Sequence, residues 1–171
     1  TIVDDGLSSG VLNFSSAAYF VKDTESTNTH SAVDPDVVLN TITGTRYLNF
    51  GTDNGHHNIL GALVTVTRSG GHDGIVSVDF ATSDGTNALG TNFFFFNSPA
   101  FAGVDYLPTN GTLTFYEHEM AKSFVVPIIP QTFFFNTNVF QKFFNVTLSN
   151  STGGAALGVV STAQVAIESP G

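Results

Sequence analysis

ALVTVTRSGGHDGIVSVDFATSDGT, residues 62–86, decides the fold. Val64 and Val66 alternate with Thr65 and Thr67, and Val76, Val78 and Phe80 alternate with Ser77 and Asp79. A period of two in β-branched and aromatic residues marks strands with one buried face. Between the two runs, SGGHDG at Ser69–Gly74 concentrates glycine and aspartate, which tolerate the backbone conformations of tight turns. The second run ends in SDGTN at 83–87, another turn signal. The stretch therefore predicts two strands, 62–68 and 75–82, each closed by a turn.

The same pattern recurs on both sides. Strands are predicted at 11–22, with a break at Ser15–Ser16, and at 111–116, 123–129, 143–149 and 162–168. YEHE at Tyr116–Glu119 and SNSTGG at Ser149–Gly154 supply further turns. Seven short strands separated by turns point to an all-β fold, an antiparallel β-sandwich. Only 117–122 has helical potential, and it is too short to matter.

Composition narrows the function classes. A chain of 171 residues fits one domain with a core of its own. Five Lys and Arg against 14 Asp and Glu give a formal charge of −9, a surface that repels phosphate backbones, so no nucleic-acid partner is expected. The absence of Cys removes disulfides and thiolate metal sites. FFFF and FFF, the longest apolar runs, fall far short of the ~20 residues that span a bilayer, and no basic n-region precedes an apolar one. The chain reads as soluble, without membrane insertion, and a signal for export would lie outside it.

Catalytic motifs are missing. There is no G-x-S-x-G elbow, no H-E-x-x-H, no P-loop and no paired carboxylates in a catalytic context, so no enzyme is expected. GTDNGHHN at 51–58 brings Asp53, His56 and His57 into one loop. Adjacent histidines on an extended segment face opposite ways, so this loop reads as solvated rather than as a metal site. His118, between Glu117 and Glu119, reads as part of an ordinary turn, and His30 and His72 sit in polar loops without an evident partner. Four N-x-S/T sequons occur, at Asn13, Asn110, Asn145 and Asn150. Strand alternation turns Asn13 and Asn145 outward, and Asn110 and Asn150 fall in turns, so all four are glycosylation candidates.

These residues also carry a family resemblance. DGT at 84–86, AGVDYLPTNGTLTF at 102–115, KSFVVPII at 122–129, FNVTLSN at 144–150 and STAQVAIE at 161–168 follow one another as in a Calx-beta domain. ALVTVTRSGGHDGIVSVDFAT at 62–82 resembles that family's second and third strands, and VLNFSSAAYFVKD at 11–23 its first. The resemblance implies an immunoglobulin-like sandwich, used in tandem arrays in sodium–calcium exchangers and in large extracellular adhesion proteins. TIVDDG at 1–6 then reads as the closing strand of a preceding repeat, and 7–171 as the domain.

The family's calcium positions carry over unevenly. Asp23, with Glu25 nearby, matches the acidic residue after the first strand, and Asp105 matches the aspartate of the G-x-D-Y run. Pro130 and Gln131 replace the acidic cluster after the fifth strand, Gln141 replaces the acidic residue entering the sixth, and the terminal acidic run shrinks to Glu168. Ca²⁺ takes six to eight oxygen ligands. Asp23, Glu25, Asp105 and Glu168 therefore imply at most a weak calcium site, while Asp4 and Asp5 belong to the site of the preceding repeat.

Insertions relative to the family fall at 27–59, 91–101 and 132–140. Strand alternation places all three at the pole where calcium would bind. Phe93, Phe94, Phe95, Phe96, Phe101, Phe133, Phe134, Phe135 and Phe140 lie in the latter two. At ~150–250 Å² per ring they exceed the apolar patch a monomer tolerates, so something must cover them. Either the 27–59 insertion folds over them, or they dock a neighbouring repeat or another copy of the chain.

The expected function is a non-enzymatic structural or adhesion module of a large repetitive extracellular or cell-surface protein or filament, with a matrix or surface partner. Two alternatives are a carbohydrate-binding sandwich and a calcium-regulated sensor. Sugar platforms favour Trp and Tyr, whereas this chain has no Trp and its loop aromatics are mostly Phe. The missing acidic clusters count against the sensor.

Overall fold

The chain is described by a computed structural model over residues 8–22, 37–40, 47–50, 61–86, 97–129 and 141–168. The deciding stretch forms β5 (Gly61–Ser69) and β6 (Val76–Asp84), as its alternation predicts. Ala62, Val64 and Val66 of β5 are buried, and so are Val76, Val78 and Phe80 of β6. The two strands do not pair with each other; each belongs to a different sheet.

The first sheet has the order β11 (Ala156–Leu157), β1 (Val11–Phe14), β5, β9 (Ala121–Pro127). In the second, the order is β2 (Ala18–Lys22), β12 (Thr162–Glu168), β10 (Gln141–Ser149), β6, β8 (Asn110–Phe115), with β7 (Asn97–Pro99) against β10. A separate hairpin, β3 (Val37–Asn40) with β4 (Tyr47–Phe50), lies within the 27–59 insertion. Among the described residues there is no helix, and none therefore that could cross a membrane.

Apolar side chains from the two sheets meet in one core. Leu12 and Phe14, the inward residues of β5 and β6, Val126, Phe144, Val146, Leu148 and Val165 are all buried in it. Phe80 of the second sheet stacks on Phe124 of the first, their ring centroids 3.8 Å apart. Each such side chain contributes ~1.5–3 kcal/mol through removal from water.

The expected break at Ser15–Ser16 is present, and the two halves it separates join different sheets: β1 pairs antiparallel with β5, whereas β2 pairs parallel with β12 in the other sheet. At the break, Ser15 donates its amide to Thr65 O (2.9 Å) while Gln164 donates to Ala17 O (2.9 Å), so the chain steps from sheet to sheet across three residues. One sequence expectation changes: the sandwich is not purely antiparallel, because β1–β11, β2–β12 and β7–β10 are parallel pairs.

One inward position on β5 is not apolar. Arg68 continues the row Ala62, Val64, Val66 and is 1% exposed. Its guanidinium donates to four carbonyls: Ser9 (2.9 Å), Gly74 (3.2 Å), Tyr116 (3.2 Å) and Asp73 (2.5 Å). Three separate loops at one pole are thereby tied to a single planar donor fork.

Candidate cation pole

At the other pole the ends of several strands come together. Glu168 of β12 is opposite both Lys22 of β2 and Gln141 of β10, and Phe144 of β10 is opposite Asp84 of β6. Gly61 is opposite Pro127. Lys22, Asp84, Pro127 and Gln141, which end or begin β2, β6, β9 and β10, all lie here.

The DGT turn fixes the floor of this pole. Gly85 donates its amide to Ala100 O (3.2 Å), and Ala100 donates to Phe143 O (2.8 Å). A Cβ on Gly85 would lie 2.1 Å from Phe143 O, backbone that cannot swing aside. Gly85→Ala is therefore expected to lower stability by about 1–3 kcal/mol, read by urea denaturation. An unchanged midpoint would refute this close-approach account of the motif.

Among the described residues three carboxylates sit around that floor, each already engaged. Asp84 Oδ1 accepts from the Ala102 amide and from the Tyr106 hydroxyl, both at 2.8 Å. Tyr106 is buried and stacks on Phe144, with centroids 4.1 Å apart. Burial first, and then the Asp84 carboxylate, push its phenol well above the ordinary value. Glu168 accepts from the Gln141 amide (2.9 Å).

Asp105 is the most constrained of the three. It is 2% exposed, in the 101–106 loop, which closes on itself through Asp105 N to Phe101 O (2.9 Å) and Gly103 N to Tyr106 O (2.8 Å). Its Oδ2 accepts from the Phe101 amide (2.9 Å) and its Oδ1 from the Lys142 ammonium (2.5 Å). Lys142 lies on β10 in register with Phe144, Val146 and Leu148, so alternation aims it inward at the end of a core row. A buried carboxylate needs a cation, and this chain supplies one from the Lys142 side chain.

The predicted ligands thus separate into groups. Asp105 and Glu168 reach the same pole, but each is held by a protein donor. Asp23, Glu25, Asp4 and Asp5 lie outside the described residues, as do Phe93, Phe94, Phe95, Phe96, Phe133, Phe134, Phe135 and Phe140. Phe101, the described member of that aromatic set, is 49% exposed. Among the described residues no three His, Cys, Asp or Glu side chains are arranged to hold a metal ion. Sequence reasoning missed Lys142. The available signal was a lysine among only five basic residues, placed in the inward register of a strand that enters the calcium pole.

The sequons also diverge. Asn110 and Asn150 are exposed, although Asn150 Nδ2 donates to Asp79 Oδ2 (3.0 Å). Asn13 does not point freely outward as expected: it is half-buried, its Oδ1 accepts from the Val160 amide (3.0 Å), and its amide packs against Gly158. The two-residue strand β11 beside β1 brings that segment over it. Asn145, on a strand paired on both sides, is half-buried.

Comparison with known proteins gives a consistent picture. The family model for the Calx-beta domain matches residues 54–171. The apo form of the Calx CBD1 domain superposes with a TM-score of 0.59 at 20% identity, covering 94% of this chain and 96% of that one. For the Calx CBD2 domain the TM-score is 0.60 at 14% identity, with 96% and 90% covered. The calcium binding domain CBD12 of CALX1.1 gives 0.58 at 20% identity, over 92% of this chain and 44% of that one. At these identities the likeness establishes the fold. No curated protein sequence matches the chain.

Proposed function

This chain belongs to the Calx-beta domain family, and on that premise we propose that it is a non-catalytic structural module, built into a larger repetitive protein of the cell exterior, whose cation pole is held by Lys142 instead of calcium. One observation carries the reading: the Lys142 ammonium lies 2.5 Å from Asp105 Oδ1, the carboxylate that the family pattern offers to a metal. An ion entering there meets a like charge and must displace it. Asp84 and Glu168, the other carboxylates of this pole among the described residues, are engaged by Tyr106, Ala102 and Gln141. This donor set does not fit a tight calcium site.

A repeat-array setting is supported by the solved structure of CBD12 of CALX1.1, of whose length this chain covers 44%. Half-exposed Phe101 offers an apolar contact to a neighbouring repeat at the same pole. Adhesion to a matrix or surface partner is the role such an array would serve.

Thermal unfolding in chelator and in millimolar Ca²⁺ tests the reading. If the dissociation constant is itself millimolar, binding adds about 0.4 kcal/mol, on the order of one degree for a domain of this size. A rise of many degrees at micromolar Ca²⁺ would instead identify a calcium sensor.

A further inference from the structure

The outer face of the second sheet carries Phe20 and Phe143 in one row. On β12, Val165 and Ile167 enter the core, so Ala166 between them points outward. Ala166 is opposite Phe20 of β2 on one side and Phe143 of β10 on the other. Tyr19 and Val21 pack on the core and Phe144 is buried in it, so both phenylalanines share the outer face with Ala166. Phe20 is 67% exposed, and Phe143 is half-buried.

Small residues stand beside these rings. Ala166 separates them, and Gly85 adjoins Phe143, where a Cβ would lie 3.1 Å from the ring carbon Cδ2. Nothing taller than a methyl group therefore rises between the two rings. The next row of the same face is polar: Gln164 and Ser83 are exposed, and Asn145 between them is half-buried. Among the described residues none of these three side chains has a hydrogen-bond partner. A half-buried amide without a protein partner is a donor and an acceptor offered to something else.

We propose that this face binds an extended β-1,4-linked pyranose chain, laid across the strands with sugar rings stacked on Phe20 and Phe143 and hydroxyls bonded to Gln164, Asn145 and Ser83. Phe20 and Phe143 are two strand spacings apart, about 9–10 Å, which is close to the repeat of such a chain. Every second sugar turns the same face downward, so both rings meet equivalent faces. Phenylalanine lacks the polar edge of Trp or Tyr, and the adjoining amides and hydroxyl supply it. Two rings of ~150–250 Å² each fall far short of the ~1,200–2,000 Å² that a standard protein interface buries, which favours a narrow ligand over a folded partner. The formal charge of −9 favours a neutral ligand over an anionic one. This inference rests on the adhesive reading of the module and gives its matrix or surface partner a chemical class.

Cellohexaose and chitohexaose, each titrated into the whole chain in chelator, test the site by ¹H–¹⁵N spectra. Saturable shifts are expected at 18–20, 83–85, 143–145 and 164–166 with at least one of the two. Phe20→Ala removes a ring that stands mostly in solvent, so the fold is kept, and it should weaken binding about 10-fold. Gln164→Ala, also exposed, should weaken it in the same direction. Tyr116→Ala, which removes an exposed ring at the Arg68 pole, should bind as the parent does. Maltohexaose, whose α-linkages curl the chain, should leave the spectrum unchanged, and an equal response to it would overturn the extended geometry. No saturable shift with either β-linked hexasaccharide, shifts confined to other surfaces, or affinities unchanged in both Phe20→Ala and Gln164→Ala would overturn the proposal. A melting temperature that climbs at micromolar Ca²⁺ would overturn the reading of the cation pole and leave saccharide binding in chelator as it is, so the two failures are distinguishable.

Discussion

Arg68→Leu is expected to lower stability by about 3–5 kcal/mol, since four carbonyls lose their donor and each buried unsatisfied group costs about 1–3 kcal/mol before water relieves part of it. The guanidinium is 1% exposed and bonds Ser9, Asp73, Gly74 and Tyr116. Arg68→Lys is expected to lose nearly as much: an ammonium keeps the charge but cannot spread its three donors over the positions that the planar fork serves. Denaturant midpoints of the two variants separate charge from geometry. A lysine variant close to the parent would mean that charge alone suffices, and a leucine variant close to the parent would remove the carbonyl cage from the energetics altogether. Hydrogen exchange should rise first at 69–74 and 116–119, the loops that this side chain ties together.

Arg68 also illustrates what the sequence makes legible. The alternation of 62–68 and 75–82 predicts two half-buried strands, and both form, because a strand whose every second residue is apolar has one stable face. Carried one step further, the same register predicts that Arg68 and Lys142 point inward at the ends of core rows, one at each pole. Their partners are not legible. Lys142 meets Asp105 across 37 residues, and His72 meets His118 across 46, through turns whose geometry no local pattern encodes. Strands of two or three residues, β11 and β7, are too short for periodicity to register, yet β11 is what brings 156–160 over Asn13 and takes that sequon out of free solvent. The family motif D-G-T was readable as a turn. Why its glycine is required appears only when Phe143 O is found 2.1 Å from the missing Cβ.

The ion pair at the calcium pole makes the sharpest prediction. Lys142→Met keeps the length and apolar stem of the side chain and removes its charge, leaving the Asp105 carboxylate at 2% exposure beside the Phe101 amide and without the ammonium. Removing one partner of a buried pair costs about 3–5 kcal/mol, far more than the pair contributes relative to an apolar replacement of both. In chelator, therefore, the methionine variant should unfold well below the parent. Millimolar Ca²⁺ should return much of that loss, because the ion no longer competes with an ammonium for the Asp105 carboxylate. Lys142→Glu goes further, adding an oxygen ligand where the cation stood, so its melting temperature should depend on calcium most steeply of the three proteins. The double variant Lys142→Met/Asp105→Asn closes the cycle: with neither charge present, it should be less impaired in chelator than Lys142→Met and indifferent to calcium. A Lys142→Met protein as stable in chelator as the parent would show that Asp105 does not need the ammonium. One destabilised equally with and without Ca²⁺ would show that the lysine does not occupy the place of an ion.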